Sequence, residues 1–187
     1  MQKGEFIMVY VFLATGFEEI EALAFVDILR RAQIDVCTVS IYEQNQVTGA
    51  HGITVLADKT ISQIDIKTMT AVVLPGGLPG TYNLRDNSAV KKIIEFASKN
   101  NKLMGAICAA PYVYDTLGYL SGVRATVNPG FENEMKNATL VNERVVVDGN
   151  IITSQGPGTA HEFAAAFVTA LKNKESATEI ISEMLYK

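Results

Sequence analysis

Cysteine is scarce in this sequence of 187 residues. The chain has only Cys37 and Cys108, which lie far apart and form no CxxC pair. This scarcity argues against a disulfide framework and against a zinc site built on cysteine spacing. It favours a reducing compartment, so we expect a cytoplasmic protein in which a free cysteine can be reactive.

The sequence also lacks basic runs and long apolar runs. Its formal net charge is −4 and its pI is about 5.2, which is not the charge pattern of a protein that binds nucleic acid or anionic lipid. No apolar stretch reaches the ~18 residues of a membrane span. The short apolar segment 6–13 has no cleavage site after it, which predicts a first strand and not a signal peptide, with translation starting at Met1 or at Met8. We expect a small molecule or another protein as the partner.

Apolar runs of the β type alternate with helical patterns along the chain. This alternation predicts an α/β fold, a mostly parallel sheet with helices on both faces, in one domain that spans residues 1–187. The predicted strands are 8–13, 36–41, 53–56, 71–74, 103–107, 145–147 and 151–154. The predicted helices are 18–31, 88–99, 111–117, 159–171 and 176–185. An Asp148-Gly149 turn predicts that the last two strands form an antiparallel hairpin.

Cys108 is the main candidate for chemistry. It directly follows the apolar strand 103–107, and Pro111 suits the first turn of a helix three residues later. A cysteine on such a sharp turn, at a helix N-terminus, should form a thiolate with a pKa below its usual value. The alternative is a small buried hydrophobe, which is what we expect of Cys37 in the middle of a strand.

Glu21 is the second candidate, because it falls on the apolar face of the first helix, among Ala24, Phe25 and Ile28. A carboxyl group that points inward needs a partner or a proton. When protonated, it could donate a hydrogen bond to the Cys108 thiolate. The alternative is a glutamate that caps the helix or reaches solvent. The helix charges expected in solvent are those of Glu19, Asp27, Arg30 and Arg31.

Gly76 and Gly77 follow a predicted strand, and their N–H groups, with that of Ala109, could form an oxyanion hole. A plain turn is the alternative. The sequence has no phosphate-binding loop and no G-x-G-x-x-G motif, so we expect no cofactor, and we expect no metal. Neither histidine follows Cys108: His51 is expected in a turn, and His161 at the start of a helix.

Four segments together resemble the ThiJ/PfpI superfamily, in particular its parkinsonism-associated deglycase branch and the YajL-like bacterial proteins. They are Ala-Thr-Gly-Phe-Glu-Glu-Ile-Glu at 14–21, Val-Leu-Pro-Gly-Gly at 73–77, Ala-Ile-Cys-Ala-Ala-Pro at 106–111 and Thr-Ser-Gln-Gly-Pro-Gly-Thr at 153–159. The resemblance implies a flavodoxin-like three-layer sandwich and a homodimer. It also implies that Cys108 is the nucleophile, that Glu21 is a buried protonated acid, and that Gly76 and Gly77 form the oxyanion hole.

The sequence departs from the pattern of this superfamily at several positions. Ala109 stands where PfpI-type proteases have a histidine, so we expect no protease of that type. Asn128 stands where deglycase-branch members often have a histidine. His51 and Gln155 replace arginines that line the pocket in the animal proteins, which predicts weaker binding of anionic ligands.

The leading functional hypothesis is a glutathione-independent enzyme that converts a small 2-oxoaldehyde such as methylglyoxal to a hydroxy acid, or that deglycates proteins. Cys108 would attack the aldehyde, and Glu21 would move a proton between the two carbons. The rival hypothesis is a redox-responsive stress protein in which Cys108 is oxidised to a sulfinate held by Glu21. We expect a homodimer through a face of the first helix that carries Leu23 and Val26, where Asp27 approaches an arginine of the partner.

Overall fold

The computed structural model of the chain describes residues 7–186. Its strands, numbered in chain order, are β1 (Met8–Leu13), β2 (Asp35–Ser40), β3 (Gln46–Thr48), β4 (Thr54–Leu56), β5 (Lys59–Thr60), β6 (Ala71–Leu74), β7 (Leu103–Ile107), β8 (Arg124–Ala125), β9 (Thr139–Leu140), β10 (Val145–Asp148) and β11 (Ile151–Ser154). Its α-helices are α1 (Glu19–Arg31), α2 (Gly80–Asp86), α3 (Ser88–Lys99), α4 (Pro111–Thr116), α5 (Ala160–Leu171) and α6 (Lys174–Glu183).

The central sheet has the strand order β10–β11–β7–β6–β1–β2–β5. Every neighbouring pair is parallel except β10 and β11, which form the antiparallel hairpin expected from the Asp148-Gly149 turn. The longer parallel strands run β2–β1–β6–β7–β11, which is the second-first-third-fourth-fifth order of a doubly wound α/β fold. In this order the chain reverses its winding direction between β1 and β6, and ligands bind beyond the carboxyl ends of the strands at such a point.

Side chains of β1 alternate between two separate cores. Val9, Val11 and Leu13 pack with α1, α5 and α6 on one face of the sheet. Tyr10 and Phe12 pack with α2, α3 and α4 on the other face. Strand side chains point alternately to opposite faces, and a sheet covered on both faces needs apolar residues at every position. The predicted three-layer α/β sandwich is therefore confirmed.

Most predicted elements are present, with ends shifted by a few residues. The strands predicted at 8–13, 71–74, 103–107 and 151–154 and the helix at 88–99 have the predicted bounds. Helix α6 starts earlier than predicted because the Asn173 side chain accepts a hydrogen bond from Ser176 N–H at 2.8 Å and caps it. The sequence analysis missed α2 and the short strands β3, β5, β8 and β9.

Helix α1 buries a wider face than the sequence predicted. Val26 is only 7% exposed and packs in the core, so the prediction that it forms a dimer face with Leu23 is wrong. The exposed apolar residues of α1 are Ile20 and Leu23. Asp27 pairs with Arg31 of the same helix at 2.7 Å, one turn away. Helix α5 lies against α1, and Val26 belongs to the core cluster that contains residues of both helices.

Within residues 7–186, no helix combines the length and the hydropathy needed to cross a membrane. The prediction of one domain over residues 1–187 stays a prediction. Residues 1–6 and 187 lie outside the described part of the chain, and with them most of the extension that would precede a start at Met8.

Candidate active site

Cys108 lies at the carboxyl end of β7, on the sharp turn that the sequence predicted. Its φ angle is 63°, in the left-handed region that non-glycine residues seldom adopt, and Pro111 begins α4 three residues later. The turn is held on both sides. Cys108 N–H donates to the Ser154 carbonyl oxygen at 2.9 Å, and Asn128 N–H donates to the Cys108 carbonyl oxygen at 2.8 Å. Strained backbone held in this way is typical of functional sites.

Glu21 lies in the first turn of α1 and points inward, as predicted. It is 1% exposed, and its Oε2 accepts a hydrogen bond from Gly76 N–H at 2.7 Å. Its Oε1 is buried and has no hydrogen-bond partner among residues 7–186. Burial raises the pKa of Glu21 to about 7, although the bonds to Gly76 and Cys108 oppose the rise, and the charge of Glu18 adds to it. The group can therefore hold or release a proton near neutral pH.

Gly76 lets these two side chains come together. A Cβ atom built on it would lie 2.5 Å from Cys108 Cβ, 2.9 Å from Glu21 Oε2 and 2.9 Å from the Ile107 carbonyl oxygen. No larger residue fits between the nucleophile and the acid. Because Gly76 N–H already donates to Glu21, it is not free in this structure to bind an oxyanion, so the role predicted for it needs correction.

Gly77 and Ala109 are the remaining predicted donors, and their backbone N–H groups act to lower the pKa of Cys108. Gly77 has a φ of 87° and fits against the start of α1, where a Cβ would lie 2.4 Å from Glu18 N. These two N–H groups favour a negative charge on the sulfur or on an oxygen bound next to it. An oxyanion hole formed by the N–H groups of Gly77 and Ala109 therefore stays a prediction.

The predicted low pKa of the Cys108 thiol is wrong for the site with Glu21 ionised. Burial, the negative charge of Glu21 and the contact between the two groups raise the pKa of Cys108 to about 12, while the N–H groups of Gly77 and Ala109 oppose the rise. The effects of Glu21 depend on its charge. A protonated Glu21 removes the repulsion and supplies a donor, so the thiolate is favoured when Glu21 keeps its proton.

Of the other residues that the sequence analysis named, Asn128 lies next to Cys108, whereas His161 and Cys37 have other partners. Asn128 neighbours Cys108 and donates from Nδ2 to the Gln155 carbonyl oxygen at 3.0 Å, while the Gln155 side chain turns to Asn142. His161 stacks on the Tyr186 ring, with 4.5 Å between the ring centroids. Cys37 is buried in β2, as predicted, and burial raises its pKa.

Glu19 and His51 form a contact that the sequence analysis missed. Glu19 was expected in solvent, yet it is 4% exposed, because the turn between β3 and β4 folds over the start of α1. Its Oε2 lies 2.9 Å from His51 Nδ1, and its Oε1 accepts from His51 N–H at 2.8 Å. Burial alone would raise the pKa of Glu19, but the bonds from the His51 ring and from backbone N–H groups lower it. In the sequence, the turn-forming segment Gly49-Ala50-His51-Gly52 was the feature that could have indicated this contact.

Comparison with known proteins extends over most of the chain. A family model described as the DJ-1/PfpI family matches residues 8–170. Protein DJ-1 homolog B of Arabidopsis thaliana is 37% identical over 177 residues, which are 94% of this chain and 40% of that protein. The chain thus spans less than half the length of this relative. A deglycase of Pyrococcus abyssi is 32% identical over 170 residues, which are 88% of this chain and 99% of that protein.

Among solved structures, the oxidized DJ-1 of Toxoplasma gondii is similar along its whole length. Its TM-score is 0.92 at 37% sequence identity, and the match covers 96% of this chain and 98% of that one. The α/β sandwich described above is therefore shared with a solved structure of substantial sequence identity.

Proposed function

The chain belongs to the DJ-1/PfpI family, and we propose that it is a cofactor-independent cysteine enzyme of small 2-oxoaldehydes. The observation that supports this most is the contact of a buried, proton-holding carboxyl group with a cysteine on a strained turn. Both residues lie against Gly76, and the N–H groups of Gly77 and Ala109 lower the pKa of Cys108. A reaction that needs one nucleophile and one group that moves a proton fits this set of residues.

The proposed reaction starts when the Cys108 sulfur bonds to the aldehyde carbon of methylglyoxal. The thiol proton ends on the carbonyl oxygen, and a hemithioacetal forms. Glu21, ionised at this stage, removes the hydrogen of that carbon as a proton and delivers it to the neighbouring ketone carbon, while the hydroxyl proton of the hemithioacetal passes to the ketone oxygen. The aldehyde carbon is oxidised as the ketone carbon is reduced, which leaves a thioester. Water then hydrolyses the thioester, releases lactate and restores the thiol, so no external electron donor is needed.

Deglycation uses the same first contact between sulfur and carbonyl carbon. The relative from Pyrococcus abyssi is named a deglycase, which supports including early glyoxal adducts of amino groups among the substrates. In that case Glu21 removes the proton of the hemithioacetal carbon, and the amine leaves the neighbouring carbon with a proton. The resulting enediol becomes a glycolyl thioester, which water hydrolyses to glycolate. The absence of a histidine after Cys108, where Ala109 lies, distinguishes this proposal from a PfpI-type protease.

Turnover of methylglyoxal without glutathione is the direct test. We expect purified protein to produce lactate in stoichiometric yield from methylglyoxal at neutral pH, measured with lactate oxidase after the protein is removed. The same assay on a glyoxal-modified N-acetyl-lysine separates deglycase from glyoxalase activity by the release of unmodified amine. Absence of turnover with both substrates would contradict the enzyme proposal.

A redox-responsive stress protein is the second candidate. The relative from Toxoplasma gondii was solved in an oxidized form, and Cys108 is in contact with a carboxyl group that can donate a hydrogen bond to a sulfinate oxygen. Two molecules of hydrogen peroxide would each add one oxygen to the sulfur and leave as water. If both turnover assays are negative and mild peroxide gives a stable Cys108 sulfinate by mass spectrometry, this candidate replaces the first.

We also propose a cytoplasmic homodimer. The presence of two unpaired cysteines supports a reducing compartment. Ile20 and Leu23 are 54% and 40% exposed on the outer side of α1, and a two-fold contact would cover this patch with its own copy. Ile20 and Leu23 lie on either side of Glu21 in the sequence, so the dimer interface would lie close to the candidate active site.

Leu23→Asp should convert the dimer to a monomer, because two carboxylates would face each other across the two-fold contact. Light scattering at micromolar concentration measures the change, and circular dichroism checks the fold. Asp27→Asn, which alters only an exposed ion pair on the same helix, is the control and should remain a dimer. A wild-type monomer, or a dimer that survives Leu23→Asp, would contradict the proposed interface.

A further inference from the structure

Three potential metal ligands meet beside the start of α1. Glu18 is the residue before the helix, and Glu19 is the first residue of the helix. His51 comes from the turn between β3 and β4. His51 Nδ1 lies 2.9 Å from Glu19 Oε2 and 3.5 Å from Glu18 Oε2. One ligand atom of each residue lies within 4.8 Å of the others.

Glu19 is held firmly in this cluster. Besides the His51 ring, its carboxyl group accepts hydrogen bonds from His51 N–H at 2.8 Å and from Ile53 N–H at 3.4 Å. A Cβ on Gly49 would lie 2.3 Å from Glu19 Oε1, so the carboxylate fits only against a glycine. These contacts fix Oε2 of Glu19 toward the imidazole before any ligand arrives.

Glu18 is the more weakly paired of the two carboxylates. The residue is 8% exposed, yet its carboxyl group accepts no hydrogen bond from any residue in the described part of the chain. It pairs with His51 Nδ1 at 3.5 Å, and Glu19 already engages that nitrogen at a shorter distance. A cation held by the three groups would give this carboxylate a second partner of opposite charge.

The charge of the cluster also calls for a cation. Two carboxylates face one imidazole, so the three groups together are negative whether or not His51 is protonated. A divalent ion would replace the proton on Nδ1 and offset both carboxylates. The His51 side chain is 68% exposed, so such an ion can enter from solvent and keep a position for water.

We propose that Glu18 Oε2, Glu19 Oε2 and His51 Nδ1 bind a divalent transition-metal ion, for which zinc is the probe. Zinc binds carboxylate oxygen and imidazole nitrogen at about 2.0–2.2 Å in a tetrahedron, which places ligand atoms a little over 3 Å apart. The distances of 2.9 and 3.5 Å to Nδ1 lie on either side of that separation. Mg²⁺ and Ca²⁺ prefer sets of oxygen ligands only, so the imidazole selects against them.

The proposed site differs from the expectation, drawn from the sequence, that the protein binds no metal. Glu19 and His51 are 32 positions apart in the sequence, so a search for short ligand motifs does not bring them together. The inference does not depend on the proposed reaction, because none of the three ligands is the nucleophile or the proton carrier. Its test therefore uses Cys108→Ser protein throughout, which also removes the reactive thiol as a competing ligand.

Zinc titration of the full chain against a chromophoric chelator tests the site. We expect one zinc ion per chain, bound in the presence of excess Mg²⁺, with X-ray absorption showing one imidazole and oxygen ligands. Glu18→Gln and His51→Gln should each weaken zinc binding at least about tenfold. His161→Gln removes the other histidine of the chain and should leave binding unchanged.

Thermal unfolding with and without zinc gives a second readout, because an ion that binds only the folded state stabilises it. The rise in Tm should disappear in His51→Gln, which changes a side chain that is 68% exposed and lies outside the core. Absence of one-to-one binding in the Cys108→Ser protein would overturn the proposal. So would zinc affinity that neither Glu18→Gln nor His51→Gln lowers.

Discussion

Cys108→Ser should lower the turnover of methylglyoxal by about 10⁴-fold or more. Losses of this size are seen when the nucleophile is removed from a site whose catalytic residues act as a unit. A serine hydroxyl beside Glu21 is poorly activated, because the neighbouring carboxyl group is itself half protonated near neutral pH and is a weak base. The donors at Gly77 and Ala109 would remain, yet no sulfur would be present to form the thioester.

The serine protein should fold normally. Cys108 is partly exposed at a turn whose hydrogen bonds use only its backbone N–H and carbonyl groups, and these remain in the variant. We expect its Tm to lie within a few degrees of the wild type, a shift that corresponds to a change of roughly 1 kcal/mol or less. Cys37→Ala is the matched control, since it removes the buried cysteine of β2 and should keep full turnover.

Mass spectrometry after rapid quenching adds a direct readout. Wild-type protein should carry one adduct with the mass of methylglyoxal on the peptide that contains Cys108, and Cys108→Ser should carry none there. Lactate production by the serine protein at a rate near that of the wild type would contradict nucleophilic catalysis at this residue.

The sequence could predict the sandwich because its strands are short apolar runs between helical patterns. Strands such as β6 and β7 are buried on both faces, so every residue in them is apolar or small, and their bounds are clear from composition alone. Helix α2 could not be predicted in the same way. It starts directly after Leu78-Pro79, which signals a turn, and it buries only a short face.

The positions of Cys108 and Glu21 could be predicted because each conflicts with its surroundings. A cysteine follows a strand directly, and a glutamate lies on an apolar stripe. The ionisation of the pair could not be predicted, because it depends on burial and on the contact between the two groups. The sequence predicted that Gly76 N–H binds an oxyanion, whereas in the structure it donates to Glu21 Oε2 at 2.7 Å. That bond depends on how the loop at Gly76 packs against α1, which the sequence does not show.

The cluster at Glu18, Glu19 and His51 shows the limit of a helical wheel. The wheel placed Glu19 on the solvated side of α1, and for the isolated helix that is correct. The turn after β3 then covers that side through bonds such as Ala50 N–H to the Phe17 carbonyl oxygen at 2.8 Å. Periodicity describes one element at a time, and this contact joins residues more than 30 positions apart.

Glu21→Gln should lower turnover by about 10²- to 10⁴-fold while Cys108 stays reactive. Glutamine has the size of glutamate, and its amide oxygen can accept the hydrogen bond that Gly76 N–H now donates to Oε2 at 2.7 Å. Its NH₂ group can donate toward the sulfur, as a protonated Glu21 would. The amide cannot take up a proton from the hemithioacetal carbon, so the adduct should form and then accumulate.

The pH dependence of the free energy of unfolding distinguishes this loss of turnover from a structural defect. Glu21 has a pKa of about 7 in the folded protein against an ordinary value of 4.5, so the folded state holds its proton more tightly than the unfolded state. The resulting stabilisation is complete below pH 4.5 and is lost as the pH rises through 7. Wild-type protein should therefore lose stability relative to Glu21→Gln across this range, by an amount on the order of 3 kcal/mol.

Urea unfolding at several pH values, with EDTA present, measures that difference, and quenched-flow mass spectrometry measures the accumulated adduct. Glu95→Gln is the control, because it removes a carboxyl group that pairs with Lys99 on the exposed side of α3 and should change neither turnover nor its pH profile. Glu21→Gln protein that turns over at the wild-type rate would show that Glu21 only supports the loop at Gly76. Lost turnover without accumulated adduct would instead place Glu21 in the activation of the thiol, before the carbon–sulfur bond forms.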